Sequence, residues 1–204
     1  MMRWLTLYAR SRRLPLAVLV SIGAVALVWG GWGLFTDRRE INESLALMTV
    51  LLALAPLIPT MAGDDDSLES GAALPWPPRR ALHVLAFAAL ACVPLLASAA
   101  TGAWFGPPGT VLRNVAALTG LIALSVALAG IRMAWQLPLC WTVLQMLFGG
   151  LAEPGWKEAP FLLLQPAGSE TAAVTAIVLF AAGVLAYAWR AGPRVAPAEV
   201  AFGQ

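Results

Sequence analysis

An all-α, polytopic membrane fold is predicted by three observations on this 204-residue chain. Apolar residues make up 60% and charged residues 12% of it, mean hydropathy is +0.77, and long uncharged runs recur between short polar breaks. A helix needs about 20 apolar residues to cross a hydrocarbon core of roughly 30 Å, so six spans would use about 120 positions and leave only short loops. No soluble domain of ordinary size fits in the remainder, which excludes a built-in ATPase, kinase or nucleotide-binding module.

The runs place the spans at about 14–35, 44–62, 81–101, 111–131, 136–151 and 171–189, after an N-terminal segment 1–13 and before a polar tail 191–204. The first run is too long for the 7–15-residue core of a signal peptide and no A-x-A-like site follows it, so it is expected to stay in the membrane. Asp37, Arg38, Arg39, Glu40 and Glu43 separate the first two runs, and Pro56 and Pro59 should bend the second near its end. Gly106, Pro107, Pro108 and Gly109 turn the chain into the fourth run, and only a short link around Arg132 leads to the fifth.

Orientation follows from the basic residues. With six spans, one side carries Arg3, Arg10, Arg12, Arg13, Arg79, Arg80, Arg132, Arg190 and Arg194, whereas the other carries Arg38, Arg39, Arg113 and Lys157. Nine against four places both termini in the cytoplasm of a multi-pass cell-membrane protein. Trp4, Trp32, Trp76, Trp104, Trp135, Trp156 and Trp189 fall near expected span ends, where an amphipathic ring prefers the headgroup level.

Several chemistries find no residues to carry them. The net charge of +2 and the dispersed arginines do not suit nucleic acid. Cys92 and Cys140 sit inside apolar runs and read as small hydrophobes, and His83 alone cannot supply paired haem ligands, so no metal site is expected. The centres of the spans hold no Asp, Glu, Lys or Arg, which argues against an ion-coupled carrier. Ser21, Ser98 and Ser125 lack a histidine at matching depth, so they read as packing or helix-bonding residues and no catalytic site is expected. Small residues four apart recur at Ala26/Gly30, Ala123/Ala127, Ala172/Ala176 and Ala182/Ala186, where helices can approach closely. Thr49, Asn114, Gln136, Thr142 and Gln145 either line a path or bond to neighbouring helices.

Three segments outside the spans stand out. Met1, Trp4, Leu5 and Tyr8 lie at helical spacing among Arg3, Arg10, Arg12 and Arg13, the composition of a short helix on the inner membrane surface. The loop 63–80 reads GDDDSLESGAALPWPPRR. Asp66 with Glu69 three residues on forms a capping box, Asp64 and Asp65 complement the N-terminal dipole, Leu68 and Leu74 offer apolar contact, and Pro75 stops the helix. The alternative is a solvated loop kept in water by its acids. The third segment, 152–170, carries the apolar run Phe161, Leu162, Leu163, Leu164, too short to cross. It either dips into the outer interface or folds over the bundle.

These three segments, in this order around six spans, resemble the type-2 permease of ABC exporters. The resemblance covers the whole chain as a layout. It implies that 1–13, including Trp4, Arg10, Arg12 and Arg13, is the interfacial helix of that family. It also implies that Asp66, Ser67, Leu68, Glu69 and Leu74 belong to a coupling helix docking on a cytoplasmic ABC ATPase, and that 152–170 is the external or re-entrant helix. The chain would then be no enzyme and bind no cofactor itself. ATP and Mg would sit on the partner ATPase, a second permease copy or paralogue would complete the assembly in membrane lipid, and the cargo would be amphipathic or hydrophobic. The competing reading is a non-transporting scaffold or assembly subunit whose loop only recruits a cytoplasmic partner.

Overall fold

The structure, a computed structural model, describes residues 14–61, 76–149 and 159–190. Six α-helices account for most of them: α1 (Leu14–Phe35), α2 (Glu43–Leu54), α3 (Trp76–Ala97), α4 (Pro108–Ala129), α5 (Gln136–Phe148) and α6 (Glu170–Arg190). Short 3-10 turns follow α2 (Ala55–Met61), α3 (Ser98–Ala100) and α4 (Ile131–Met133), and another, Leu162–Leu164, precedes α6. Five helical stretches are long and apolar enough to cross a membrane: Leu14–Phe35, Glu43–Met61, Pro77–Ala100, Pro108–Ala129 and Glu170–Trp189. The fifth run of the sequence folds differently. Within the described residues α5 has 13 residues, about 20 Å at 1.5 Å per residue and short of a full crossing.

Local chemistry sets the boundaries. Asn42 caps α2 by accepting from the Ser44 N–H at 3.0 Å, with Glu43 in the first turn to favour the dipole. α3 begins at Trp76, so Pro77 and Pro78 occupy its first turn, where a missing N–H costs nothing. They lengthen the third helix at its N-terminal end. Pro107 and Pro108 start α4 in the same way, and Gly130, at φ +82°, ends it. Pro59 holds the end of the second span in a 3-10 turn.

Contacts order the bundle along one axis. At one end, Ile41 N–H donates to the Trp104 carbonyl at 3.0 Å, Trp104 N–H to Arg39 at 2.9 Å, and Trp29 Nε1 to Thr101 Oγ1 at 2.9 Å. Arg113, near the start of α4, reaches the segment just before α6. At the other end, the 3-10 turn after α2 meets the start of α3 and the last turns of α6. Both described chain ends, Leu14 and Arg190, therefore lie at this second end, called the terminal end; the first is the loop end. Because Arg113 lies beside Pro166 and Gly120 beside Leu179, α4 and α6 run side by side in the same direction.

That pair is the centre of the molecule. A Cβ on Gly120 would come within 2.5 Å of the Leu179 carbonyl oxygen, and one on Gly183 would overlap the Gly120 carbonyl. Ala117, Ala123, Ala172 and Ala176 are buried around this contact. Small side chains let the backbones approach where lipid gives no hydrophobic drive to associate. By contrast Ala26 and Ala182 face outward, so two of the four small-residue pairs in the sequence do not pack inside this chain. α1 is peripheral: it buries only Ala17, Ser21 and Val25, with the Ser21 hydroxyl donating to the Ala53 carbonyl at 2.6 Å. Leu19, Leu27, Leu34 and Phe35 point outward, as expected of a lipid-facing helix.

Candidate functional site

Two places gather polar side chains. The first is at the terminal end, where α2 hands over to the 63–80 loop. Thr60 donates its hydroxyl proton to the Leu57 carbonyl at 2.6 Å. Its oxygen lies 3.1 Å from His83 Nε2, and a hydrogen bond joins the two side chains. One residue further, the Met61 carbonyl accepts from the Tyr187 hydroxyl at 2.7 Å. Thr60, His83 and Tyr187 are all buried. A 3-10 turn leaves carbonyls without helical partners; here Tyr187 of α6 donates to one of them, and His83 of α3 bonds the hydroxyl of the residue before it. The point where the chain enters the loop is thus tied to two other helices at once.

The second place is at the loop end. Arg113, 6% exposed, donates from Nη1 to the Pro166 carbonyl at 3.0 Å and from Nη2 to Gln165 at 2.7 Å and Leu163 at 3.3 Å. Its Nε donates to Asn114 Oδ1 at 3.3 Å. The planar guanidinium fork spreads its donors over this array of carbonyls as the compact ammonium of a lysine could not. Gln145 of α5 completes the arrangement: Nε2 donates to the Pro160 carbonyl, and Oε1 accepts from Leu163 N–H at 3.1 Å. The irregular segment before α6 thus finds hydrogen-bond partners on α4 and α5. Beside it, a cleft of about 120 Å³ opens between Glu40, Glu43, Asn114, Gln165 and apolar neighbours.

The residues singled out from the sequence divide as follows. Segment 1–13, with Trp4, Arg10, Arg12 and Arg13, and segment 66–74, with Asp66, Ser67, Leu68, Glu69 and Leu74, lie outside the described residues. Ser98 and Ser125 donate to the carbonyls of Leu95 and Leu121 within their own helices, as Thr49 does to Leu45. Gln136 is exposed, whereas Thr119 and Thr142 are buried with hydroxyls that have no partner among the described residues. Cys140 is exposed on α5, because that helix buries the face of Pro138, Thr142 and Gln145. Among the described residues no three His, Cys, Asp or Glu side chains gather as a metal site would require. Sequence reasoning used Arg113 only as a charge to be counted. Its signal was a basic residue at the third position of the fourth apolar run, followed directly by Asn114.

The class these features define is an all-helical protein with several helices suited to a membrane. Comparison with protein-family models, curated proteins and solved structures finds no match.

Proposed function

We propose that this chain is the membrane-spanning permease subunit of an ATP-driven exporter, coupling a cytoplasmic ATPase to movement of an amphipathic or hydrophobic substrate. In this reading 1–13 lies on the inner membrane surface, the terminal end faces the cytoplasm, and a second permease copy completes the transporter. The arginine excess on one side of the chain supports that orientation. The parallel course of α4 and α6 supports six passes, since the chain between them must return from the terminal end to the loop end.

The observation that carries the proposal is the double tie at the loop entrance, Tyr187 to Met61 and His83 to Thr60. A coupling helix at 66–74 transmits a push only if the chain leading into it is attached to the rest of the bundle. Here that chain is held to the third and last long helices together. Binding energy of ATP in the partner would then bias the bundle between two arrangements.

The test is purification of the full chain with its copurifying proteins, followed by reconstitution. An ATPase subunit should copurify, and Leu68→Asp should abolish its attachment. Tyr187→Phe should keep the ATPase bound and hydrolysing while substrate movement per ATP falls severalfold. Complexes containing other cytoplasmic proteins but no ATPase would overturn the proposal in favour of a scaffold subunit.

A further inference from the structure

We infer that the loop-end cleft binds an organic ammonium group with an oxygen close to it, the chemistry shared by free ethanolamine and the ethanolamine headgroup of a phospholipid. The cleft lies between the α1–α2 connection, the start of α4 and the segment before α6. Glu40 and Glu43 line it, and neither carboxylate has a hydrogen-bond or ion-pair partner among the described residues. Glu43 is close enough to Arg113 to feel its charge without a salt bridge, but two carboxylates against one guanidinium already committed to carbonyls leave the opening a net attraction for a cation.

Behind them stand two carboxamides that are more than nine-tenths buried, Asn114 at 6% and Gln165 at 9% exposure. Asn114 uses Oδ1 to accept from Arg113, which leaves Nδ2 without a partner among the described residues. Gln165 gives its backbone carbonyl to Arg113, and its side-chain amide has no partner among them either. Neither amide is among the fully enclosed unpartnered side-chain groups, which among the described residues are those of Thr119, Trp141 and Thr142, so both stay open to the cleft and can bond what occupies it. Both line the same cleft as the carboxylates.

The donor and acceptor types choose the ligand. Carboxylates of Glu40 and Glu43, with Gln165 Oε1, are acceptors for the three N–H bonds of an ammonium. Asn114 Nδ2 is a donor, so it serves an oxygen on the same ligand. Apolar walls from Ile41, Val50, Phe105 and Val111 accommodate a short aliphatic body. Calcium would need six to eight oxygens, and apolar walls do not supply them. Arg113 is not available to recognise an anion, since its N–H groups already serve Asn114 and three backbone carbonyls.

Ethanolamine is titrated calorimetrically into the full chain in detergent, with N-acetylethanolamine and calcium chloride as competing probes. Ethanolamine should bind and the uncharged acetyl derivative should not. Glu40→Gln with Glu43→Gln should weaken binding at least tenfold, while Asp37→Asn, a charge outside the cleft, should leave it unchanged. Gln165→Leu should weaken it severalfold and serves alone if the double variant does not fold. Nanodiscs then separate the sources: loss of ethanolamine binding in phosphatidylethanolamine but not phosphatidylcholine discs assigns the lipid, and equal binding in both assigns a soluble amine. Equal binding of the acetylated probe, an equal loss in Asp37→Asn, or binding of calcium alone overturns the inference.

Discussion

Gly183 carries no side chain for a reason visible in its neighbour: the Gly120 carbonyl occupies the space a Cβ would need. Gly183→Val should therefore force α4 and α6 apart, at a cost of about 1–3 kcal/mol typical of overpacking. Gly23→Val, where nothing lies within 4 Å of the added Cβ, is the control. Reversible unfolding in mixed micelles measures both, and equal losses would refute the close approach. Arg113 gives a second prediction at this scale. Arg113→Met strips the donors from the carbonyls of Leu163, Gln165 and Pro166, each unsatisfied group costing about 1–3 kcal/mol. Arg113→Lys should recover only part, because an ammonium cannot present the planar fork. Cysteines placed at Ala167 should label faster in the methionine variant.

Helix ends and the short α5 belong to the scale of elements. Asn42→Ala removes the side-chain acceptor at the start of α2 and should cost about 1 kcal/mol, with Asn42→Asp nearly neutral, in the same unfolding assay. α5 buries Pro138, Thr142 and Gln145 on one face and leaves Leu147 and Phe148 outward. Gln145 bonds it to the segment before α6, both donating and accepting, and Leu164 packs beside Gly149. Gln145→Leu should loosen the 159–165 segment without disturbing the α4–α6 pair. Hydrogen exchange should show faster exchange at Leu163 and unchanged protection at residues 117–123. Pro94, inside α3, takes one N–H from that helix and is the place where a bend is expected.

For the whole molecule, the contacts divide the surface into two ends, and the arginine count predicts a side for each. With Cys92 and Cys140 replaced by alanine, cysteines at Arg80, Arg132 and Trp189 should react with an impermeant reagent from one face. Cysteines at Asp37, Gly102 and Gly168 should react from the opposite face. A five-pass arrangement would put Trp189 with Gly102, which the labelling pattern would reveal directly. Much of this layout was legible in the primary structure, because a span is set by length and composition, both local properties. The first, third, fourth and last helices lie on long uncharged runs, and tryptophans 32, 104, 135 and 189 mark their ends or connections. The fifth run was less legible, since an apolar stretch of its length suits a short helix as well as a crossing.

The sequence by itself determined an all-helical, strongly apolar chain whose breaks fall at prolines, glycines and charges, since each acts on the backbone within a turn or two. Only the tertiary structure decided which glycines meet, where Arg113 spends its hydrogen bonds, and how Glu40 and Glu43 come to share a cleft with Asn114 and Gln165. These pairs stand 50 or more residues apart, with the exception of neighbours within each loop. Nothing local relates their positions; they meet because α2, α4 and the segment before α6 are packed together at one end of the bundle.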